Sequence, residues 1–414
     1  MPSRFVLIGC ARYADPGLVD LPGVTRNIDR LSARMPPNSA NSRTDVLHNH
    51  FSGKTALALV EEAANSAEDV LFVYYSGHGV LDFFDRLHLA VRATQLDDPD
   101  GGDWIDVDRL LHLILGSRAA TKVLLLDCCE SGRALASDAW KSSHMSGNVV
   151  VWTAVEAGVS ARQYWENGGR PFNGKDPTAF TETLVDVADR YLASSRGLPR
   201  LHELVKEVQI EASQRGFSPP AWDSRGSGHA GLLPLQAAPN PSTFQARGGA
   251  IGPMLLRAVM RFGAVPFAVA LVVPLLLLSD KLYPLNSLPF LLIEWSAILI
   301  GFLLQSHARA RIPYRFNVRF SEGGPILDLG VAMYAFDWLQ IETVTVHENG
   351  DVVFAMDPSA VLRRPPRFLR RYAPRPRAVD HELVFCNINA LSQDRGGIVN
   401  AIASHAGWRW KESA

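Results

Sequence analysis

Two short segments combine the pattern of a buried strand with residues that could carry out nucleophilic chemistry. VLLLDCCESG, residues 123–132, runs from four apolar residues into an acid, two adjacent cysteines and a glycine turn. LFVYYSGHGV, residues 71–80, runs from an apolar stretch into a histidine between two glycines. A thiol needs a base to become a thiolate near neutral pH, and histidine is the usual base. Cys129 and His78 are therefore a candidate nucleophile and base.

The elements that would bring these two residues together are predicted by the pattern of residues 1–236. Short apolar segments such as RFVLIGCA, DVLFVYYSG, KVLLLDCC and NVVVWTAV alternate with helical segments such as GKTALALVEEAANSA and VDRLLHLILGS. This alternation predicts a mostly parallel sheet with helices on both faces. Catalytic groups gather at the carboxyl ends of the strands of such a sheet. Two adjacent strands that end at one edge would place His78 opposite Cys129.

The order and spacing of several motifs resemble those of a known family. Cys129 follows His78 by 51 positions, since 129 − 78 = 51, and caspases carry the histidine about 50 residues before the cysteine. YYSGHG and DCCESG, together with LPGVTRNIDRL, VVVWTAV and TAFTETLVDVA, resemble the caspase–metacaspase clan of cysteine peptidases (peptidase C14 type), especially its bacterial members. The resemblance covers roughly residues 3–236. It implies a caspase-like three-layer α/β/α fold around a mostly parallel sheet.

The resemblance also implies roles for particular residues. Cys129 would be the nucleophile and His78 its partner, while Cys128 fills a position that is often Ser or Cys in relatives and would pack inside. The backbone N–H groups of Gly79 and Cys129 would hold the oxyanion. Asp127 would line an acidic pocket for a P1 arginine or lysine of a peptide substrate.

The second acid of that pocket departs from the family pattern. In relatives it lies in a G-C-x-N-D stretch, and the corresponding segment here is GVTRNID. The best alignment places Asn27 at the acid position, and a shifted alignment would use Asp29 instead. Glu130, where relatives often have His or an aromatic residue, is a further departure. A basic P1 residue is therefore a weaker expectation than the dyad.

No cofactor is expected, although calcium is an alternative because metacaspases often need it. LDDPDGGD, residues 96–103, has four acids that could offer oxygen ligands. It lacks the ligand spacing and the closing Glu of an EF-hand loop, so a solvated loop is the preferred interpretation and no metal site is assigned.

Composition limits the partners and the compartment. The chain has 41 basic and 42 acidic residues, so nothing in its net charge favours nucleic acid. Its four cysteines are too few for a disulfide framework, which favours a reducing compartment. The opening MPSRFVLIGCARY lacks the features of a signal peptide and is typical of a first strand.

Two long apolar runs, Phe262 to Leu278 and Ser287 to Gln305, predict a transmembrane hairpin over residues 255–311. The basic residues flank the pair rather than the short link, which predicts an inner-membrane protein with both termini in the cytoplasm. Membrane lipids would then contact residues 262–305. The alternative is a buried helical hairpin in a soluble domain. Glu294 lies within the second run, and two interpretations stay open: a functional or oligomer contact, or a group that reaches the interface.

The rest of the chain divides into a linker and a small domain. Residues 237–254 are predicted as a linker, since the stretch 237–251 is rich in Pro, Ser and Gly. Residues 312–414 are predicted as a small cytoplasmic α+β domain with no assigned role. Within it, Asn349-Gly350 lies at the centre of an alternating apolar–polar pattern, which indicates a hairpin.

Together these features predict a membrane-tethered, caspase-like cysteine endopeptidase that acts on protein substrates. By resemblance, such a protein would act as a regulated effector in bacterial stress or anti-phage signalling. The alternative is a membrane-associated scaffold or membrane-perturbing effector that uses the peptidase fold only for docking or sensing. The presence of both His78 and Cys129 favours catalysis.

Overall fold

The structure, a computed structural model, describes eleven stretches of the chain. They are residues 1–96, 103–142, 148–156, 177–194, 198–217, 219–226, 235–246, 317–328, 333–357, 375–376 and 382–411. These residues belong to two compact units, Met1–Pro239 and Asn240–Ala414.

A six-stranded sheet forms the centre of the first unit, with strand order β2-β1-β3-β7-β8-β9. Five strands run parallel, and β9 pairs antiparallel with β8 at one edge. This confirms the predicted mostly parallel sheet. The strands are β1 (Ser3–Gly9), β2 (Ser42–His48), β3 (Val70–Ser76), β7 (Thr121–Asp127), β8 (Asn148–Thr153) and β9 (Ala221–Arg225).

The two central strands, β3 and β7, are buried along their whole length. This explains why they appear in the sequence as continuous apolar runs rather than alternating ones. Side chains on one face, including Val73 and Leu124, pack in a core with the helices α2 (Gly53–Ser66) and α3 (Val107–Gly116). Side chains on the other face, including Tyr74 and Trp152, meet α5 (Ala179–Ala193) at Thr181 and Phe180.

The helices begin where the sequence supplies capping residues. Ser52 accepts a hydrogen bond from Thr55 N at the start of α2, and Asp106 accepts one from Arg109 N at the start of α3. Such side-chain acceptors satisfy N–H groups that have no partner in the first turn. The helices of this unit are α1 (Gly23–Ser32), α2 (Gly53–Ser66), α3 (Val107–Gly116), α4 (Asp138–Ser142), α5 (Ala179–Ala193) and α6 (Leu201–Gln214).

A small antiparallel sheet, β4-β5-β6, follows the end of β3. Its strands are β4 (Gly79–Leu81), β5 (Leu87–Ala90) and β6 (Trp104–Asp106). Sequence analysis missed this sheet, because strands of three or four residues carry too few side chains for a period of two to be recognised. Leu87 and Leu89 of β5 pack in the same core as α2 and α3.

The second unit contains two four-stranded sheets, ordered β10-β11-β12-β13 and β14-β15-β17-β16. Residues 242–245 form β10, although they lie in the segment whose composition predicted a linker. Phe244 of this strand is buried against Phe320, and this packing outweighs the loop-like composition around it. The strands are β10 (Ser242–Gln245), β11 (Asn317–Phe320), β12 (Ile326–Asp328), β13 (Met333–Ala335), β14 (Ile341–Val346), β15 (Asp351–Met356), β16 (Arg375–Pro376) and β17 (Glu382–Asn387).

The predicted hairpin around Asn349-Gly350 is present as β14 and β15. Gly350 adopts a φ of 85°, a left-handed conformation that favours glycine. A helix, α7 (Arg395–Ala406), follows the last strand.

The predicted transmembrane hairpin, residues 255–311, lies outside the described residues, as does Glu294. Within the stretches that the structure does describe, no helix combines the length and the apolar character needed to cross a membrane.

Candidate active site

The candidate site lies where β3 and β7 end side by side. The two strands pair in parallel, and Ser76 lies opposite Asp127 in the register. His78 and Cys129 each follow their strand by two residues, so they leave the sheet at the same level of the same edge. Gly77 N also donates to Asp127 O at 3.4 Å, which continues the contact beyond the strands.

Gly79 lies directly against the cysteine turn. A Cβ added to Gly79 would be 2.2 Å from the Cys129 carbonyl oxygen and 3.1 Å from Cys128 Sγ. Ala90 N donates to His78 O at 2.9 Å, so Gly79 and Leu89 form a non-hydrogen-bonded pair of the antiparallel ladder. The Gly79 N–H group is therefore directed away from β5.

The loop between β1 and α1 holds the His78 ring. His78 Nε2 donates to Val19 O at 2.8 Å, which fixes the proton on Nε2 and leaves Nδ1 as the acceptor of the neutral ring. Tyr13 packs its ring 4.8 Å, centre to centre, from the imidazole. The Tyr13 hydroxyl also accepts a hydrogen bond from His78 N at 3.0 Å and donates to Cys10 O at 2.6 Å.

Burial lowers the pKa of His78 below its usual value of 6.5, and the Val19 carbonyl and the charge of Asp20 offset part of this effect. The neutral imidazole is therefore the favoured form near neutral pH. This is the form that can accept a proton from a thiol.

The two adjacent cysteines have different environments. Cys128 is buried in the core that includes α2 and α3, while Cys129 is partly exposed. Burial raises the pKa of the Cys128 thiol well above its usual range. Cys128 therefore stays protonated and inaccessible, which makes Cys129 the residue of the pair that can meet a substrate.

Asp127 lies on the opposite face of the sheet from Cys128, in a buried polar cluster. It accepts hydrogen bonds from Thr181 Oγ1 at 2.6 Å, Tyr74 Oη at 3.1 Å and Asn27 Nδ2 at 3.3 Å, and another from the Thr178 hydroxyl. The bonds from these described residues all end on one carboxylate oxygen, Oδ2. Burial raises the pKa of Asp127, and the hydroxyl donors oppose this shift by stabilising the charged form.

Asn27, which the best sequence alignment places at the second pocket position, lies against Asp127. Its amide donates to Asp127 and to Ser76 Oγ, and its side-chain oxygen accepts from Thr178 N at 2.9 Å. Asp29 lies two residues further along α1 and is partly exposed. The cluster thus brings together one carboxylate and one amide.

The turn after Cys129 is sharp and anchored. Glu130 has a φ of 56°, in the left-handed region that non-glycine residues seldom occupy. Ser131 is buried, and its hydroxyl lies 3.3 Å from Val155 N and 3.4 Å from Val155 O, which ties the turn to the end of β8. Ser131, the Ser of the D-x-C-x-S-G pattern, therefore stabilises this turn.

Sequence analysis missed two groups that contact His78. Tyr13 lies beyond the carboxyl end of β1, beside the end of β3, and this edge position is a signal that could have identified it. Val19 contributes only its backbone carbonyl, which any residue could supply, so no side-chain type marks that position.

No three His, Cys, Asp or Glu side chains are grouped as metal ligands in the described parts of the chain. Residues 97–102, most of the acidic segment, lie outside those parts. Asp103 accepts a hydrogen bond from Gly53 N at 2.7 Å, at the start of α2.

The fold and the site define a class of protein. Its members have a mostly parallel α/β sheet, in which a histidine and a cysteine follow the carboxyl ends of adjacent central strands. The model of the caspase domain family (Peptidase_C14) matches residues 4–225, more than half of the chain. The chain therefore belongs to the caspase domain family, a family of cysteine peptidases.

Two insect caspase structures are among the solved structures that resemble the chain. Caspase-1 from Spodoptera frugiperda is 12% identical with a TM-score of 0.37, and the match covers 57% of this chain and 91% of that one. The structure of pro-sf-caspase-1 is 11% identical with a TM-score of 0.37, covering 56% and 93%. No curated protein sequence matches the chain.

We predict that Gly79→Ala will disrupt the contact between the two turns, because the new methyl group would overlap the Cys129 carbonyl. The free energy of unfolding should fall by about 1–3 kcal/mol, as for other overpacked sites. Urea unfolding of the full-length protein, followed by circular dichroism, measures this.

Gly116→Ala is the matched control, since nothing lies within 4 Å of the added Cβ. It should be neutral or slightly stabilising. Equal stability of the two variants would contradict the close packing of Gly79 on the cysteine turn.

Proposed function

We propose that this protein is a cysteine endopeptidase in which Cys129 and His78 hydrolyse peptide bonds of protein substrates. The observation that carries the proposal is the shared edge of β3 and β7. His78, with its Nε2 bonded to Val19 O, and the partly exposed Cys129 follow paired positions of these adjacent strands. Membership of the caspase domain family supports the same reaction.

The proposed reaction is acyl transfer through a thioester. His78 Nδ1 accepts the Cys129 thiol proton, and Sγ attacks the substrate carbonyl carbon. The C–N bond then breaks, and the departing amine takes the proton from His78. Water, deprotonated by His78, hydrolyses the thioester and releases the Cys129 thiol.

The backbone N–H groups of Gly79 and Cys129 would stabilise the oxyanion of the tetrahedral intermediate. Two observations support this role for Gly79: its N–H group is directed away from β5, and its backbone lies against Cys129. A side chain at position 79 would separate the two donors.

Asp127 would bind a basic P1 side chain. The donors that surround it occupy Oδ2, and Oδ1 would accept a hydrogen bond from the guanidinium or ammonium group. The arriving cation would also compensate the cost of a buried carboxylate. Because Asn27 supplies an amide where the family motif has an acid, this pocket offers one negative charge rather than two.

The two apolar runs between residues 262 and 305 would tether the peptidase to the membrane, with both termini in the cytoplasm. Their length, the lack of charge in the first run and the basic flanks support this proposal. Confinement would raise the effective concentration of membrane-bound substrates. Release of the full-length protein by alkaline carbonate without detergent would contradict the tether.

Substitution of each adjacent cysteine tests the assignment of the nucleophile. In the full-length protein, Cys129→Ala should abolish cleavage of a peptide library read by mass spectrometry, because no other accessible thiol would remain at the site. Cys128→Ala is the matched control and should retain most activity, since that thiol is buried. Cleavage by Cys129→Ala at the wild-type rate would refute the proposal.

The pH dependence of kcat/KM tests the role of His78. Burial lowers its pKa below 6.5, so more than half of the imidazole stays neutral at pH 6.5. The acid limb of the profile should therefore have its midpoint below 6.5, where the pH passes through the lowered pKa. A midpoint at or above 6.5 would contradict the lowered pKa of His78.

Asp127→Asn should remove the preference for basic P1 residues. We expect kcat/KM for P1 Arg peptides to fall by at least about tenfold, because the buried charge pair is lost, while cleavage after neutral residues persists. Asp29→Asn, which changes the other acid that the motif offered, should leave the preference intact. Undiminished selectivity for Arg in Asp127→Asn would rule out Asp127 as the pocket acid.

A further inference from the structure

Two adjacent phenylalanines are exposed at the tip of the β4–β5 hairpin. The side chain of Phe83 is 93% exposed and that of Phe84 is 79% exposed. The Arg86 guanidinium lies 5.3 Å from the centre of the Phe84 ring. Single exposed apolar residues are common, but a neighbouring pair of large aromatic side chains forms a patch that association would bury.

The hairpin tip is held in one conformation by Asp82. Its carboxylate accepts hydrogen bonds from Phe84 N at 2.8 Å, Arg86 N at 2.9 Å and Arg86 Nε at 2.7 Å. Asp85 N also donates to Asp82 O at 3.1 Å. A tip braced in this way presents the two rings without a large loss of entropy on binding.

The tip lies beside the candidate active site. Strand β4 begins at Gly79, directly after His78, and Gly79 contacts the Cys129 carbonyl. At the tip itself, Asp85 lies 3.9 Å from Arg133, which lies 3.8 Å from Glu130, the residue after Cys129. The hairpin that carries the two rings therefore begins directly after the His78 turn, and its tip contacts the Cys129 turn through Arg133.

The two faces of the sheet separate the proposed P1 pocket from the hairpin. Asp127, the proposed P1 acid, belongs to the face covered by α1 and α5, where it meets Asn27 and Thr181. The hairpin belongs to the other face, because Leu87 and Leu89 pack with Cys128 in the core shared with α2 and α3. A substrate whose P1 side chain enters the Asp127 side would continue, beyond the cleaved bond, toward the hairpin.

We propose that Phe83 and Phe84 form an apolar subsite for the substrate segment that follows the cleaved bond. The substrates would be proteins with a large apolar or aromatic side chain within the first few positions after that bond. This inference rests on the proposed peptidase function and adds a second determinant of specificity to the P1 pocket.

The test compares the full-length protein with the double variant Phe83→Ser/Phe84→Ser. Internally quenched peptides carry Arg at P1 and either Phe or Ser at each of the three positions after the cleaved bond. A second, short substrate ends at P1 and carries only a fluorogenic amine after it. Ile210→Ser is the matched control, since Ile210 is 52% exposed on α6, away from the hairpin.

The wild type and Ile210→Ser should cleave the best Phe peptide roughly tenfold more efficiently than its Ser counterpart, as expected for one apolar contact. The double variant should lose this preference and cleave the short substrate at the wild-type rate. Retention of the Phe preference in the double variant would overturn the apolar subsite and leave the proposed peptidase function unaffected. Absence of cleavage of every substrate by the wild type, the short one included, would overturn the proposed function together with it.

A lipid surface is the competing occupant of the same two rings. Vesicles of phosphatidylglycerol and phosphatidylcholine, mixed with wild type and double variant, separate the two cases. Weaker vesicle binding by the double variant than by the wild type, with unchanged peptide selectivity, would assign the rings to lipid and overturn the substrate subsite.

Discussion

The pairing of β3 with β7 is the constraint on which the candidate site depends. Both strands are buried throughout, and parallel hydrogen bonds fix their register from Val70–Thr121 to Ser76–Asp127. A slip of β7 by one residue would move each of its side chains to the opposite face, which would take Asp127 out of its cluster of donors. The relative position of the two turns that follow is therefore set by the hydrophobic core rather than by the turns themselves.

The two faces of the sheet also give the side chains of neighbouring residues different environments. Asp127 and Cys128 are neighbours in sequence, yet they belong to opposite faces of the sheet. On one face, the buried Asp127 carboxylate requires donors from β3, α1 and the start of α5. On the other face, Cys128 packs among apolar residues and cannot ionise readily. Cys129, between them, is left partly exposed at the edge, where a substrate can reach it.

Burial acts on the ionisable groups in a consistent direction. It favours the neutral form of His78 and of Cys128, and it opposes the charge on Asp127. Hydrogen bonds then distinguish the groups: Val19 O fixes the tautomer of His78, and hydroxyl and amide donors support the Asp127 carboxylate. Under the proposed function, an arriving basic side chain would complete the compensation of Asp127, which would link substrate binding to the electrostatics of this cluster.

The sequence by itself predicted the alternation of the central strands and helices of the first unit and pointed to His78 and Cys129 as the candidate dyad. Both results depend on local patterns: apolar runs that end in turns, and short motifs whose residues are contiguous in the chain. The hairpin at Asn349-Gly350 was predictable for the same reason. Strands of three or four residues, such as β10 and those of the β4-β5-β6 sheet, carry too little pattern to be recognised.

The tertiary structure decided which distant groups meet. Asn27 reaches Asp127 from 100 positions away, and the Val19 carbonyl reaches His78 from 59 positions away. It also decided that the β4–β5 hairpin packs, through Leu87 and Leu89, on the face of the sheet that α2 and α3 cover, opposite the Asp127 cluster. These contacts follow from the register of the sheet and the packing of helices on its two faces. Because such packing is a property of the assembled core, no short segment of the sequence encodes it.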